Sequence, residues 1–508
     1  MGYAMVQAAT IEGVQAQPVM VEVQVASGGL PQVKIVGLGD TAVLESKERV
    51  CSAIKALGFK IPATRITINL APALMKKHGS GLDLAIAVGI LAASGQIDNA
   101  LIERMLFVGE LSLDGTVRSV QEVIAAAVLA KSTERILVGK EVREASELTR
   151  CPYIAIDSLK NIAEEPFIEE SQRPKQLSLT RQSAFEQQKY DIDFSDIVGH
   201  ESAIRALQIA ACGRHNILLL GPPGSGKTML ASRLVTIMPA LSENEALETA
   251  LVYGCSGAIK SSYQLGAIPL RSPHHSSSIT GLIGGGNPIG PGEVSYAHNG
   301  VLFLDEMAQF APSTLQSIRT PLEDGKVCIV RSQTHIEFLS RFLLVGASNP
   351  CPCGYFGSGD IECTCSPATL SNYQNRIGGP LLDRFDMVCW INKTKPQRFL
   401  SKSQPRISSQ QLCEGICAAL DFRKQMNLDY GSLLDKDLLA SGDMLSDGAR
   451  EILLQESIKD NLTTRAIVKI LRVARTCADL DASYTIEQQH VFEALYYRCD
   501  WRSMRAHP

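Results

Sequence analysis

Ile217-Leu-Leu-Leu-Gly-Pro-Pro-Gly-Ser-Gly-Lys227-Thr228 runs an apolar strand straight into a glycine-rich turn that closes on a lysine and a hydroxyl. These are the residue types of a phosphate-binding P-loop. Glycines let the backbone curl so that successive N–H groups and a helix N-terminus converge on phosphate oxygens. Gly221, Pro222, Pro223, Gly224, Ser225 and Gly226 form the cradle, Lys227 reaches the terminal phosphates, and Thr228 faces the magnesium ion. Further along, Val301-Leu-Phe-Leu-Asp305-Glu306 is a second apolar run, ending in two carboxylates. Asp305 is placed to hold magnesium with Thr228, and Glu306 to polarise a water. ATP and Mg2+ are therefore the expected ligands.

The chain has 508 residues, a formal charge of -4 and 20% charged residues. Such a length accommodates roughly three domains. The charge excludes a globally basic nucleic-acid binder and leaves room for a local basic patch or a lined channel. The start, Met1-Gly-Tyr-Ala-Met-Val-Gln7, has no basic segment leading into an apolar one, and the longest apolar run, Leu84 to Ala93, is too short to span a bilayer. A cytoplasmic location and no membrane partner are expected. The 14 cysteines then point to metal binding or buried thiols rather than to a disulfide framework.

Residues 1–165 alternate β-like runs (Val19 to Val25, Val33 to Val36, Arg65 to Leu70) with helical ones (Glu45 to Leu57, Leu82 to Ala93, Val120 to Lys131), the pattern of an α/β domain. Residues 166–190 are polar and glutamine-rich and read as a linker. In residues 191–392 the strands Ile217 to Leu220, Val301 to Leu304 and Phe342 to Ala347 are near-continuous apolar runs, as in a parallel sheet with helices on both faces. Residues 393–508 read as an all-α lid, with Leu462, Ala466, Ile467, Ile470, Leu471 and Ala474 at helical spacing and Arg465, Arg472 and Arg475 among them. Lys393, Lys395, Arg398, Lys402 and Arg406 form an acid-free basic run, either a solvated connector or a nucleic-acid contact.

Cys351-Pro-Cys353 and Cys363-Thr-Cys365 are two C-x-C pairs joined by a glycine-containing turn. Four thiolates so spaced can close a tetrahedron around structural zinc, with free thiols or an iron–sulfur cluster as the alternatives.

Several elements of residues 191–508 fall in the order of an AAA+ ATPase module, which the segment resembles. Asp193-Phe-Ser-Asp-Ile-Val-Gly199 matches the part near the adenine, and Asn349 the sensor-1 amide that orients the attacking water. Leu381-Leu-Asp-Arg384-Phe-Asp386 matches the arginine-finger segment, and Arg465 stands at the sensor-2 position. A finger acts on the neighbouring subunit and is worth roughly 10³ to 10⁵ in rate, so the resemblance implies a ring. Two insertions narrow it. Arg271 to Gly286 is similar to a helix-2 insertion, and Gly325 to Arg341 alternates like a hairpin placed before sensor 1. Both are found in the branch that holds MCM helicases and magnesium chelatases. In MCM proteins that hairpin carries a basic residue near its tip and grips DNA in the channel. The resemblance puts Arg331 in that place, with Lys326 and Arg341 as the other basic residues of the segment.

Lys76-Lys-His-Gly79-Ser-Gly81, Val108-Gly-Glu110 and Val120-Gln121-Glu-Val resemble the proteolytic domain of Lon, a fold related to that of ribosomal protein S5. Gly81 stands where Lon has its serine and Gln121 where it has its lysine. Neither can perform that chemistry, so the domain is expected to be catalytically dead. Across its whole length the chain resembles the ComM/YifB, magnesium chelatase-like family. That family implies a homo-hexameric DNA helicase driving branch migration on single-stranded or branched DNA during recombination in natural transformation, with recombination proteins as partners. A chelatase-type motor or an assembly chaperone that does not act on DNA is the alternative.

Overall fold

The computed structural model describes residues 2–121, 123–163, 191–255, 266–331, 334–358, 361–394, 406–426 and 444–498. The first half is built on β1 (Gly2–Glu12), β2 (Gln15–Val25), β3 (Gln32–Val36), β4 (Arg65–Ala71), β5 (Met105–Phe107), β8 (Ile136–Gly139) and β9 (Tyr153–Ala155). They form one sheet in the order β3-β4-β2-β1-β5-β8-β9, while β6 (Glu110–Leu111) and β7 (Val117–Arg118) pair as a small ribbon beside it. β2 runs antiparallel to β1 and β4; the other pairings in the sheet are parallel. Alternation sets the buried face: Val19, Val21 and Val23 of β2 and Ile66, Ile68 and Leu70 of β4 point into the core. Every residue of the helix Asp83–Ala93 is buried, as its all-round apolar sequence requires. β1 was not legible, because Ala, Gln and Thr blur its alternation.

The second half is a parallel sheet of β10 (Ile217–Leu220), β11 (Leu270–Arg271), β14 (Val301–Leu304), β17 (Leu343–Ser348) and β18 (Met387–Trp390), in the order β11-β14-β17-β10-β18. Both faces are covered. Ile217, Leu219, Val301, Phe303 and Val345 enter one core, and Leu218, Leu220, Leu302, Leu304 and Leu344 another, which is why these strands read as unbroken apolar runs.

Two insertions leave this sheet. The helix Ile279–Ile283 leads into a ribbon of β12 (Gly284–Gly285) and β13 (Gly290–Pro291), and β15 (Lys326–Arg331) pairs with β16 (Thr334–Leu339) as a hairpin. The helices Ser409–Gln425, Asp447–Lys459, Thr464–Leu480 and Gln488–Tyr496 follow. A buried pair of arginines on one carboxylate, Arg423 and Arg475 on Asp479, ties two of them together. They dock on the helix Glu201–Gly213 through Arg205–Glu493 at 3.0 Å and on its end through His215–Thr476 at 2.8 Å.

The two halves share a core in which Val123, Ile124 and Leu148 meet Ala246, Ala250 and Tyr253, with Arg150–Glu243 at 2.7 Å beside it. The expected linker 166–190 lies outside the described residues, as do Lys395, Arg398 and Lys402 of the basic run. Lys393 stands 5.5 Å from the ring centre of Tyr355, and Arg406 donates to the Ser195 carbonyl. Among the described residues no helix is long and apolar enough to cross a membrane.

Candidate active site

β14, β17 and β10 are neighbours in the second sheet, so their C-terminal ends bring Asp305, Asn349 and the glycine-rich turn together at one edge. Ligands of open parallel sheets gather at this edge. Gly224 and Gly226 adopt φ of +74° and +85°, the left-handed region that needs glycine, and Gly226 caps the helix Lys227–Arg233. Lys227 Nζ donates to the carbonyls of Gly221 at 2.8 Å and Pro222 at 3.0 Å and to Asn349 Oδ1 at 3.1 Å. Burial pushes the Lys227 ammonium below its usual pKa, and the charges of Asp305 and Glu306 oppose that shift. Thr228 Oγ1 donates to Asp305 Oδ2 at 2.7 Å, which marks the pair that would share a magnesium ion. Glu306 is exposed and stands at φ +48°, where the chain leaves the strand.

The cradle fits a phosphate chain. Among the described residues Ser225 Oγ is buried without a partner and nothing lies within 4 Å of a Cβ added at Gly224, while Gly221 has Ile391 O only 2.2 Å from where its Cβ would be. The turn is thus anchored on one side and open on the other.

Arg384 lies elsewhere. Asn216, the residue before β10, donates from Nδ2 to the Arg384 carbonyl at 3.0 Å, so Arg384 sits at the start of the strand whose far end carries the glycine-rich turn. Four residues of strand, about 13 Å, separate the two edges. The guanidinium is buried and pairs with Glu323, and among the described residues its Nε has no partner. Burial, then the like charges of Arg465 and Arg319, lower its pKa. Arg465 is exposed beside it, one helical turn before Lys469, whose Nζ donates to the Asp383 and Phe385 carbonyls at 2.6 and 2.8 Å. The sequence suggested both arginines as site residues. Their common place on the edge opposite their own P-loop follows only from the topology.

The three basic residues of the hairpin segment do not act alike. Arg331 is exposed at the end of β15 and donates to the Gly286 carbonyl at 2.8 Å, which brings the two insertions together. Lys326, at the hairpin base, pairs with Glu337 at 2.9 Å, and Arg341, past the end of β16, pairs with Glu248. Only Arg331 projects from the far end. On the same ribbon Cys328, His335 and Glu337 bring their ligand atoms within 4.8 Å of one another, a grouping missed in the sequence because antiparallel register creates it.

The four cysteines do converge. Sγ of Cys351 is 3.2 Å from that of Cys353 and 3.7 Å from that of Cys363, Cys353 and Cys363 are 3.5 Å apart, and Cys365 completes a set lying within 4.8 Å. A zinc tetrathiolate with Zn–S near ~2.3 Å has sulfur–sulfur edges of roughly 3.8 Å. The donor set and its size therefore fit zinc.

The model of magnesium chelatase subunit ChlI matches residues 193–399, that described as subunit ChlI of Mg-chelatase matches 21–141, and the ChlI C-terminal model matches 406–498. The uncharacterized protein YifB of Escherichia coli is 40% identical over 494 residues, covering 96% of this chain and 95% of its own. Competence protein ComM of Haemophilus influenzae is 39% identical over 503 residues, 98% of each chain. The chain belongs to the magnesium chelatase-like ComM/YifB family. It is accordingly an AAA+ protein, of a family that uses ATP and Mg2+ and is commonly oligomeric.

Lon protease 2 of Bacillus subtilis is 34% identical over 142 residues, 26% of each chain. The expectation of a catalytically dead domain rested on Gly81 and Gln121. Nearby, Ser80 donates to the Glu110 carboxylate and the wholly buried Lys77 to the Pro72 carbonyl, so serine and lysine are each committed to a different partner.

Proposed function

We propose that the chain is an ATP-hydrolysing ring motor, a homo-hexamer that translocates on DNA and drives branch migration in recombination. The observation that carries this reading is the split site. Lys227, Thr228, Asp305, Glu306 and Asn349 gather at one edge of the sheet, and Arg384 and Arg465 lie at the other. An arginine more than a side chain's length from its own P-loop can serve the P-loop of the next copy, and head-to-tail contacts of this kind close into rings.

In the working site Lys227 neutralises the terminal phosphates, and Asn349, which shares a hydrogen bond with Lys227, aligns the attacking water. Glu306 accepts that water's proton. Thr228 and Asp305 would hold the magnesium ion, whose charge offsets that of the phosphates. Arg384 leaves Glu323 for the neighbour's γ-phosphate, and Arg465 accompanies it. Structural zinc occupies Cys351, Cys353, Cys363 and Cys365, in keeping with the thiol spacing.

DNA enters the reading through Arg331, at the end of the hairpin that meets the glycine-rich insertion, and through a relative named a competence protein. Lys326 and Arg341, being paired at the hairpin base, set its posture and only secondarily meet DNA. Without a serine–lysine pair the first half does not cleave peptides; it supports the ring.

A branch-migration assay on a mobile DNA junction tests the proposal with wild type, Glu306→Gln and Arg331→Ala. Wild type should move the junction with ATP, Glu306→Gln should bind it without moving it, and Arg331→Ala should hydrolyse ATP without stimulation by DNA. Wild-type ATPase that ignores DNA and leaves every junction in place would sink the DNA reading and favour a chelatase-type motor or an assembly chaperone.

A further inference from the structure

The loop that carries the four cysteines is wedged against the nucleotide cradle. Gly354, directly after Cys353, stands at φ +86° and packs so closely on Pro223 of the P-loop that a Cβ added there would lie 2.5 Å from Pro223 Cδ. Three residues on, Gly357 at φ +72° would place a Cβ 3.3 Å from the ring of Trp390, the last residue of β18. The loop therefore bridges the ends of two adjacent strands, β10 through the turn and β18 directly. Its other attachment is covalent: Cys351 follows Asn349 by two positions, and Asn349 Oδ1 accepts from Lys227 Nζ.

We infer that the cysteine cluster is a positioning element of the ATP site, so that metal on Cys351, Cys353, Cys363 and Cys365 sets the affinity for MgATP by holding the loop on Pro223 and Asn349 on Lys227. The inference rests on zinc being the occupant of the four cysteines. The physical cause is conformational. Residues 351–365 have few apolar side chains to fix them, so without a central ion the chain must be ordered at an entropic cost before Gly354 can press on Pro223. Four metal–sulfur bonds supply that order in advance. The ion has no bond to nucleotide in this scheme; it acts through the backbone at Gly354 and Asn349. At both φ-positive glycines the loop approaches its neighbours closely.

The test measures zinc by elemental analysis and MgATP affinity with a fluorescent ATP analogue, on full-length wild type, Cys363→Ser and Gly354→Ala. Wild type should carry one zinc per chain. Cys363→Ser should lose it and bind the analogue about tenfold more weakly, the scale on which removing a supporting contact acts. Gly354→Ala keeps all four thiols, so it should retain zinc and weaken binding to a similar degree. Stripping wild type with a chelator should reproduce the loss, and adding zinc back should reverse it. If Cys363→Ser does not fold, the chelator series and Gly354→Ala decide. Wild type purified without zinc would end the zinc reading and this inference with it. Zinc present but removable with no change in nucleotide affinity would end the inference alone.

Discussion

Each half of the molecule holds a lysine beside a glycine-containing turn, Lys77 buried and Lys227 half-buried, and the two differ in what faces the ammonium. Lys77 is wholly enclosed, its amine on the Pro72 carbonyl, and burial alone lowers its pKa. Lys227 is also shifted down by burial, but Asp305 and Glu306 act on it, Asn349 accepts from it, and the turn beside it is open at Gly224. The motif resemblance to Lon is thus a likeness of fold. In the second half charges of both signs converge on an accessible cradle; among the described residues Lys77 has no such setting.

This contrast can be broken or sharpened by substitution. The largest effect is expected at Arg384: Arg384→Ala should cut ATP turnover by roughly 10³-fold or more, while urea unfolding of the monomer changes little. Glu306→Gln should lower turnover by about 10² to 10⁴ with nucleotide affinity kept, seen as a fall in kcat at constant Kd for the ATP analogue.

The first half should answer in stability instead. Its buried Asp83 accepts from Arg49 at 2.6 and 3.0 Å, from Ser46 and from the Leu111 amide. Asp83→Ala removes the buried carboxylate on which that guanidinium, Ser46 and the Leu111 amide converge and should cost about 3 to 5 kcal/mol in urea unfolding.

Acid should discriminate next. His215 is buried in the second half, and burial pulls its pKa down to about 4, with the Asp386 charge opposing. An unfolded histidine takes its proton near ~6.5. The unfolded chain therefore gains protons first as pH falls, so this contribution to stability is complete above pH ~6.5 and declines towards pH 4, by about 3 kcal/mol in all. His215→Gln should flatten that part of the stability-against-pH curve. The smallest effect belongs to Lys77→Met, which should leave ATP turnover within about twofold of wild type because a volume-matched apolar side chain suits that site; a large loss of kcat would put chemistry in the first half after all.

What could be read in the sequence was local. Phosphate binding needs contiguous backbone, so Gly221 to Thr228 declared itself. Asp305 and Glu306 end an apolar strand, and the four cysteines lie within one loop. The strands near Val19, Val33 and Arg65 followed from alternation. What stayed hidden depends on elements distant in the chain: the edge on which Arg384 falls, its Glu323 partner, the Gly354–Pro223 contact, and the pairing that occupies Lys326 and Arg341. Arg384 shows the difference most sharply, since its segment suggested a role while only the β10–β18 register placed it at the edge away from its own glycine-rich turn.

Subunit mixing tests that central claim most directly. Lys227→Ala and Arg384→Ala proteins, each inactive alone, should regain ATPase when co-assembled, because the P-loop of one then meets Arg384 of the other. Random heterologous rings from equal amounts would restore about a quarter of the interfaces, and activity near that fraction is expected. Activity no greater than the sum of the two separate proteins, in rings shown to contain both, would contradict the shared site.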